Sequence, residues 1–265
     1  MTPSPILAFC FGIGMVLLGN ALEGGHLSAL WQPTAALIVM GGTIGATWLA
    51  STDQEILYLF KLLPRVVVPG HPDRRKLLQK MLEVASVARR DGLLAIEAIL
   101  PQVEDEFLRR GLRVLIDGTS PADLERMMEL DIDITEHHGN AAGKVLETAG
   151  GYAPTVGILG AVLGLIHVMS NLTEPEKLGT GIAVAFVATI YGVGTANLIF
   201  LPLGSRVKKI IGGDVEAKAM VLAGLQVIAT GANPRQVEEM LGPYVGHGHS
   251  AAAEGAAGAA QKAAA

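Results

Sequence analysis

Four long segments of the sequence contain no Asp or Glu, and this feature constrains the fold more than any other. The segments are Thr2–Leu22, Leu27–Thr52, Thr148–Thr173 and Leu178–Ser205. A helix of about 20 apolar residues spans the hydrocarbon core of a bilayer, and each segment is long enough to do so. Half of the 265 residues are apolar, which also favours an integral membrane protein over a soluble domain.

The basic residues are distributed unevenly around these segments. Of the 20 Lys and Arg residues, 13 lie between Asp53 and Glu147, and six lie after Ser205. Only Lys177 lies between the third and fourth segments, and none lies in Glu23–His26. Because Lys and Arg are enriched on the cytoplasmic side of a membrane, both termini and the long middle region are predicted to be cytoplasmic.

These observations predict an all-α fold: a polytopic membrane protein with four transmembrane helices and a helical cytoplasmic region. Apolar residues recur with helical spacing between the second and third segments and after the fourth. The predicted boundaries are 1–52 for helices 1 and 2, 53–147 for the cytoplasmic region, 148–205 for helices 3 and 4, 206–245 for C-terminal helices, and 246–265 for a disordered tail rich in Ala and Gly.

Two residue pairs mark predicted helix starts. Ser120-Pro121 and Asn233-Pro234 each place a capping side chain directly before a proline, which is typical of the first residues of a helix. The helix that starts at Pro121 could continue into the third segment. We expect glycines to interrupt it, at positions 139, 143, 150 and 151.

Few side chains could bind a metal ion or carry a proton within the membrane. Cys10 is the only cysteine, so the chain forms neither an internal disulfide nor a thiolate cluster. His167 is the only histidine inside a predicted span, and we interpret it as a neutral, hydrogen-bonded residue because burial disfavours its charged form. His247 and His249 are expected to be solvated in the tail. The sequence therefore predicts no metal site and no cofactor.

The third segment contains a proline and a row of glycines. Pro154 and Thr155 are followed by Gly157, Gly160 and Gly164. A proline inside a helix removes one backbone hydrogen bond, and glycines three or four residues apart let a neighbouring helix approach closely. The spacing leaves two interpretations open: a packed helix that contains a proline, or a hinge or pore edge at Pro154 and Thr155.

The fourth segment is unusually polar for a membrane helix. Among its glycines and apolar residues lie Thr189, Tyr191, Thr195 and Asn197. One Thr in such a helix usually bonds to the carbonyl of the preceding turn, but several polar residues more often face protein or water than lipid. The pattern indicates a path for water or ions, and because no segment contains a carboxylate, a partner would have to supply one.

A charged cluster lies in the middle region, around Gly92. Arg89 and Arg90 precede this glycine and Glu97 follows it. Exposed charge pairs contribute little to stability but can steer a partner. The cluster is therefore either ordinary solvated surface or an electrostatic docking face, and the sequence pattern does not distinguish between them.

Three motifs in combination resemble the MotA/PomA family of flagellar motor stator subunits, within the wider MotA/TolQ/ExbB group. They are Ala153–Gly157 with the glycines that follow, Ala188–Gly192, and Gly231–Arg235. The resemblance covers about residues 1–243. It implies a homopentamer in the inner membrane around a dimer of a MotB/PomB-type single-span partner, whose membrane Asp accepts the ion. Ion flow would then turn the subunits against the rotor (switch complex) protein.

The resemblance also implies roles for individual residues. The ion path would involve Pro154, Thr155, Ala161, Thr189, Tyr191 and Pro202, with the two prolines matching those at the ends of spans three and four. Arg89, Arg90 and Glu97 match charged positions that face the rotor. The family often has a second acid after that Glu, where this chain has Ala98, so the rotor contact is expected to be weaker or more distributed.

The coupling ion follows from three positions in the resemblance. Sodium-coupled relatives carry hydroxyl groups at positions that match 161, 188 and 189, whereas this chain has Ala161 and Ala188 and keeps only Thr189. A dehydrated sodium ion needs several oxygen ligands, but a proton needs one acceptor and a water path. The resemblance therefore implies proton coupling.

Other classes of function fit the sequence less well. A TolQ/ExbB-like energiser of the cell envelope typically has three spans, and the charge pattern here predicts four. A self-contained transporter would carry an ionisable residue or broken helices at the middle of its own spans, and only His167 comes close. No nucleophile–base pair, phosphate-binding loop or nucleic-acid-binding pattern is found, so we expect neither an enzyme nor a nucleic-acid partner.

Overall fold

The computed structural model describes residues 5–67, 72–173 and 175–246, and this part of the chain contains helices and no β-strand. The all-α prediction is confirmed. The α-helices are α1 (Pro5–Leu22), α2 (Pro33–Ala36), α3 (Gly42–Ala50), α4 (Asp53–Val67), α5 (Arg74–Asp91), α6 (Glu106–Ile116), α7 (Pro121–Ser170), α8 (Pro175–Thr195), α9 (Leu201–Ala229) and α10 (Pro234–Gly246). Short 3₁₀ helices form at Leu27–Leu30 and Leu93–Gln102, and π-helical turns at Leu37–Gly41 and Ala196–Phe200.

Three helical stretches of the described residues are long and apolar enough to cross a membrane: Leu27–Ala50, Pro121–Ser170 and Leu178–Ala229. The first predicted segment forms the apolar helix α1, whose 18 residues make it shorter than the other three stretches. The membrane character of the chain is therefore confirmed, while the number of four spans stays a prediction. The tail prediction, including His247 and His249, lies outside the described residues.

Both predicted helix starts are confirmed by their capping hydrogen bonds. Ser120 Oγ accepts a hydrogen bond from the Asp123 amide at 3.1 Å and donates one to the Asp123 carboxylate at 2.6 Å. Asn233 and Gln236 cap α10 reciprocally, each side-chain oxygen accepting the other residue's amide at 2.9 Å. Such caps satisfy amides that have no acceptor within the helix.

The expected interruption of α7 by glycines is wrong, because the helix runs without a break over 50 residues. A glycine inside a helix costs about 1 kcal/mol relative to alanine, and here the packing of α7 against α9 offsets that cost. A methyl group at Gly139 would lie 2.4 Å from Ile211 Cγ1, and one at Gly143 would lie 3.2 Å from the Gly204 carbonyl oxygen. These glycines are sites of close helix contact.

The chain divides into two compact units, and two of the three boundaries between them fall within α7 and α9. One unit comprises the described residues of Met1–Gly70 and His137–Ile211, and the other those of His71–Glu136 and Gly212–Ala265. The first unit thus includes α4 together with the apolar helices. The domain boundaries drawn from the sequence remain a prediction.

The second unit has a continuous apolar core built from α5, α6, α10 and parts of α7 and α9. The helical spacing seen in the sequence of α5 is confirmed, since Leu77, Met81 and Ala85 are all buried in this core. An ionic cluster lies at its edge, where the Lys218 ammonium contacts the Asp131 carboxylate at 2.7 Å and lies 4.9 Å from the Phe107 ring centroid. The core holds the helices of this unit in place and so fixes the positions of the charged residues exposed on its surface.

Candidate functional site

Helices α7 and α8 approach each other so closely that their backbones are in contact. A methyl group at Gly192 would lie 2.5 Å from the carbonyl oxygen of Ala153. One at Gly157 would lie 2.9 Å from the carbonyl oxygen of Ala188. Because the obstacles are backbone atoms, which cannot rotate away as a side chain can, these positions accommodate only glycine.

The same contact continues along both helices. A methyl group at Gly164 would lie 2.9 Å from the Gly181 carbonyl oxygen and 2.9 Å from the Ala185 amide nitrogen. At Gly160, an added Cβ would lie 2.8 Å from the Cβ of Ala188. The glycine row of the third segment is therefore a helix-packing surface, as one of the two interpretations of that segment predicted.

Pro154 and Thr155 belong to a different face of α7. Pro154 is half-buried and Thr155 is exposed, whereas the preceding Ala153 is fully buried against α8. Thr155 Oγ donates a hydrogen bond to the Tyr152 carbonyl at 2.8 Å. The packed glycine row and the Pro154–Thr155 edge thus lie on different faces of one helix. The packing of the glycines does not test whether Pro154 and Thr155 form a hinge or a pore edge, and that role stays a prediction.

The polar side chains of the fourth segment bond mainly to their own helix. Thr189 Oγ donates to the Ala185 carbonyl at 3.2 Å, and Thr195 Oγ donates to the Tyr191 carbonyl at 2.6 Å. The Asn197 side-chain amide donates to the Val193 carbonyl at 2.9 Å. These hydroxyl groups keep their oxygen lone pairs available to accept a hydrogen bond, but their protons are already used.

The remaining ion-path predictions lie apart from this set. Ala161 is half-buried on α7 and Pro202 is exposed in the first turn of α9. Within the described residues, no hydrogen bond joins any two of the six predicted ion-path residues to each other. The structure therefore brings the small residues of α7 and α8 into contact. The predicted ion-path residues are not joined to one another by hydrogen bonds.

Tyr191 has a role that the sequence analysis missed. Its hydroxyl donates to the Leu30 carbonyl at 2.5 Å and accepts a hydrogen bond from the Gln32 amide at 3.3 Å. These bonds attach α8 to the connection between the 3₁₀ helix Leu27–Leu30 and α2. A Tyr within an apolar segment usually needs a polar partner for its hydroxyl, and this was the signal available in the sequence. The sequence could not identify which backbone groups the hydroxyl would meet.

Replacing Tyr191 by Phe is expected to destabilise the protein by about 1–3 kcal/mol, because two backbone groups lose their partner while the ring still fills its space. The measurement is the thermal unfolding midpoint of the purified protein in detergent. Tyr152→Phe is the matched control, since the Tyr152 hydroxyl makes no hydrogen bond within the described residues. Equal midpoints for the two variants would show that the Tyr191 bonds contribute nothing.

Thr43 is a second polar residue that the sequence analysis missed. It lies in α3, is fully buried, and its hydroxyl has no partner within the described residues. The adjacent Gly42 packs against α7, where an added methyl group would lie 2.7 Å from Val156 Cγ1. Buried hydroxyl groups without a partner are rare, so Thr43 is a further candidate polar group at the contact between α3 and α7.

The two π-helical turns also escaped sequence analysis. One, Leu37–Gly41, contributes Val39 to a small core with Ala35, Val187 and Ala188. The other, Ala196–Phe200, contains Asn197 and contacts α1. Single π-helical turns inside α-helices often occur at functional sites. Both turns lie in the unit that holds the predicted ion-path residues.

The charged cluster of the middle region is exposed at the end of α5. Gly92 has a φ of +88°, which turns the chain sharply between α5 and the 3₁₀ helix that carries Glu97. Arg90 is paired with Asp91, its guanidinium donating at 2.8–3.1 Å, and this hydrogen bond lowers the pKa of the Asp91 carboxyl. Arg89 and Glu97 make no such bond within the described residues, so both remain free to meet a partner.

An apolar side chain accompanies these charges. Leu94 lies between Gly92 and Glu97 and is 73% exposed. Exposed leucines are common on their own, but one beside two unpaired charges is typical of a protein contact with an apolar centre and a polar rim. We define Arg89, Leu94 and Glu97 as the α5-tip surface.

Comparison with known proteins gives consistent matches along the chain. Residues 6–92 match the Motility protein A N-terminal family, and residues 100–220 match the MotA/TolQ/ExbB proton channel family. Motility protein A of Helicobacter pylori is 34% identical over 256 residues, which cover 94% of this chain and 96% of the relative.

Two solved structures share the fold over nearly the same length. The structure of C. jejuni MotAB superposes with a TM-score of 0.88 at 30% identity, covering 94% of this chain and 98% of that chain. The flagellar MotAB stator complex from Bacillus subtilis gives 0.83 at 31% identity, covering 91% and 96%. Both units of the chain therefore lie within the region of likeness.

Proposed function

Because the chain belongs to the MotA/TolQ/ExbB proton channel family, we propose that it is a flagellar stator subunit which, with a MotB-type partner, conducts protons and converts their flow into torque. It is a multi-pass protein of the inner membrane. The observation that carries the proposal is the likeness to two MotAB complexes over more than nine-tenths of the chain. We assign the chain no enzymatic activity.

A TolQ/ExbB-like role in the cell envelope is the less favoured candidate. The family model that covers residues 100–220 includes TolQ and ExbB proteins, and alone it would not separate the two functions. The match of residues 6–92 to a domain named for Motility protein A favours the stator. A deletion strain that swims normally would overturn the stator assignment, whereas loss of swimming with normally assembled flagella would support it.

The partner is proposed to supply the carboxylate that accepts the ion. The apolar segments Thr148–Thr173 and Leu178–Ser205 contain no Asp or Glu, and the solved relatives are complexes with MotB. A single-span partner with an Asp in its membrane helix would complete the path beside the Pro154–Thr155 edge and Thr189. Co-purification of such a partner tests this step directly.

A homopentamer around a dimer of this partner is proposed as the assembly. Large apolar side chains remain exposed along α7 and α8, among them Ile158, Ile166 and Phe186. In a membrane these side chains can face lipid, a neighbouring copy or the partner. The count of five rests on the family resemblance, and the mass of the purified complex measures it.

The topology is proposed to have four spans with both termini in the cytoplasm. Helix α1 would be the first span, with Glu23–His26 outside. The distribution of Lys and Arg supports this placement. It also puts the α5-tip surface in the cytoplasm, where the rotor (switch complex) protein would be its partner.

Proton coupling leads to a prediction about swimming without sodium. Cells that depend on this subunit are expected to swim at unchanged speed when potassium replaces sodium, and to stop when a protonophore removes the proton gradient. The reason is that Ala161 and Ala188 offer no side-chain oxygen as a ligand for a dehydrated sodium ion. Swimming speed in the two buffers is the measurement, with a sodium-coupled strain as the control, and loss of swimming in potassium would contradict proton coupling.

A further inference from the structure

A cavity of about 380 Å³ lies between α4 and α7, apart from the proposed ion path and from the α5-tip surface. Its lining includes Lys61 from α4 and His137 and His138 from α7, with the small Ala141 leaving space between the helices. The His138 ring is held edge-on between two other rings, with centroids 5.9 Å from Tyr58 and 5.9 Å from His137. Neither the ion path nor the rotor contact uses any of these side chains.

The lining is rich in hydrogen-bond donors, which an anion would accept. Among the described residues that line the cavity, the only carboxylate is Glu55. Its oxygen already accepts the Thr52 amide at 2.8 Å, in the cap that begins α4. The Lys61 ammonium, the two imidazoles and Gln54 are then left as hydrogen-bond donors around one space. Lys144 follows Ala141 by three residues, which places it on the same side of α7.

The surroundings of the cavity place it at a membrane surface. Helix α4 begins at Asp53, directly after the apolar stretch Leu27–Ala50. Leu57 and Phe60 project from α4 with 61% and 63% of their surface exposed, and Trp48 at the end of the preceding span is 63% exposed. An amphipathic helix with exposed apolar side chains beside basic groups is typical of the membrane interface, and Trp is enriched there.

We propose that this cavity binds the headgroup phosphate of an anionic phospholipid of the inner leaflet, with phosphatidylglycerol as the representative lipid. Lys61, His137 and His138 hold the phosphate, and the acyl chains leave the cavity past Leu57 and Phe60. The cytoplasmic leaflet carries most of the anionic lipid available to such a site. The choice of the inner leaflet rests on the topology proposed above, but no step depends on the torque function, so the site can be tested by itself.

The test is lipid binding to the full chain co-purified with its partner subunit. Dioctanoyl phosphatidylglycerol is titrated and the bound lipid is counted by native mass spectrometry. Lys61→Gln is expected to weaken binding about five-fold, since one Lys near a membrane surface contributes about 1 kcal/mol of attraction to anionic lipid. The double variant His137→Ala/His138→Ala removes donors from the opposite wall and is expected to weaken binding as well.

Lys209→Gln is the matched control, because Lys209 is an exposed cation of the same unit that does not line the cavity. Unchanged binding by this control supports a specific site, and an equal loss in Lys61→Gln and Lys209→Gln overturns it in favour of diffuse charge. Thermal unfolding of each variant verifies that it is folded. If Lys61→Gln unfolds, the exposed histidine pair provides the decisive comparison.

Two further binding measurements identify the ligand. Dioctanoyl phosphatidylcholine, which has the same chains but no net charge, is expected to bind at least about five-fold more weakly. Equal binding of the two lipids would mean that only the chains are recognised, and would overturn the proposal. Inorganic phosphate in excess is expected to leave the lipid bound, and displacement by phosphate would assign the cavity to a free anion instead of a lipid.

Discussion

Replacing Gly192 by Ala will sharply reduce swimming and will destabilise the purified complex. An added methyl group would lie 2.5 Å from the Ala153 carbonyl oxygen and 2.9 Å from the Gly157 Cα. Both are backbone atoms, so α7 and α8 must move apart as units to make room. Overpacking of this kind costs about 1–3 kcal/mol, and each kcal/mol lowers the unfolding midpoint of a chain of this size by about 2–4 °C.

The matched control for this variant lies two residues along the same helix. A methyl group at Gly194 meets nothing within 4 Å, so Gly194→Ala makes the same chemical change without the clash. Swarm diameter, the amount of protein in the membrane and the unfolding midpoint are measured for both variants. Wild-type swimming and stability in Gly192→Ala would show that the backbone contact is dispensable.

Replacing Glu97 by Lys is expected to remove most of the torque while leaving the subunit folded, in the membrane and bound to its partner. Glu97 is exposed and has no hydrogen-bond or ionic partner within the described residues, so the change should cost little stability. At a charged protein contact, a like-charge pair can cost several kcal/mol. Torque of tethered cells under load is the most direct measurement.

Glu238→Lys is the control for this charge reversal. Glu238 is exposed on α10 in the same unit and likewise has no partner within the described residues. Its reversal changes the net charge equally without altering the α5-tip surface. Equal torque loss in both variants would mean that total charge matters, and unchanged torque in Glu97→Lys would remove Glu97 from the rotor contact.

The membrane character and the helix starts of this chain could be predicted because each depends on residues close in sequence. An apolar segment of about 20 residues meets the bilayer requirement alone, and Ser120 caps α7 through a residue only three positions away. The glycines of α7 show the limit of this approach. Glycine disfavours a helix, so Gly139 and Gly143 alone predict a break in α7. The packing of α9 against both glycines offsets this cost, and the helix continues.

The candidate site was predictable in its residue types and not in its contacts. The glycine row predicted close helix packing, yet the sequence could not show that Gly157 would meet Gly192 or that Tyr191 would bond to Leu30. Such contacts join positions far apart in the chain, and hydrophobic periodicity carries no information about them. The pairing of Arg90 with Asp91, which leaves Arg89 free, likewise depends on side-chain geometry.

The contact between Ala188 and Gly160 makes the residue allowed at one position depend on the residue at the other. The Cβ of Ala188 occupies the place into which a side chain at position 160 would project, 2.8 Å away. Position 160 therefore has to be glycine already, and a lineage or an engineer that adds a hydroxyl at position 188 keeps this requirement, because the larger side chain still carries a Cβ. Any side chain at position 188 larger than glycine would thus leave position 160 on the opposite helix fixed, and only a change of 188 to glycine would release it.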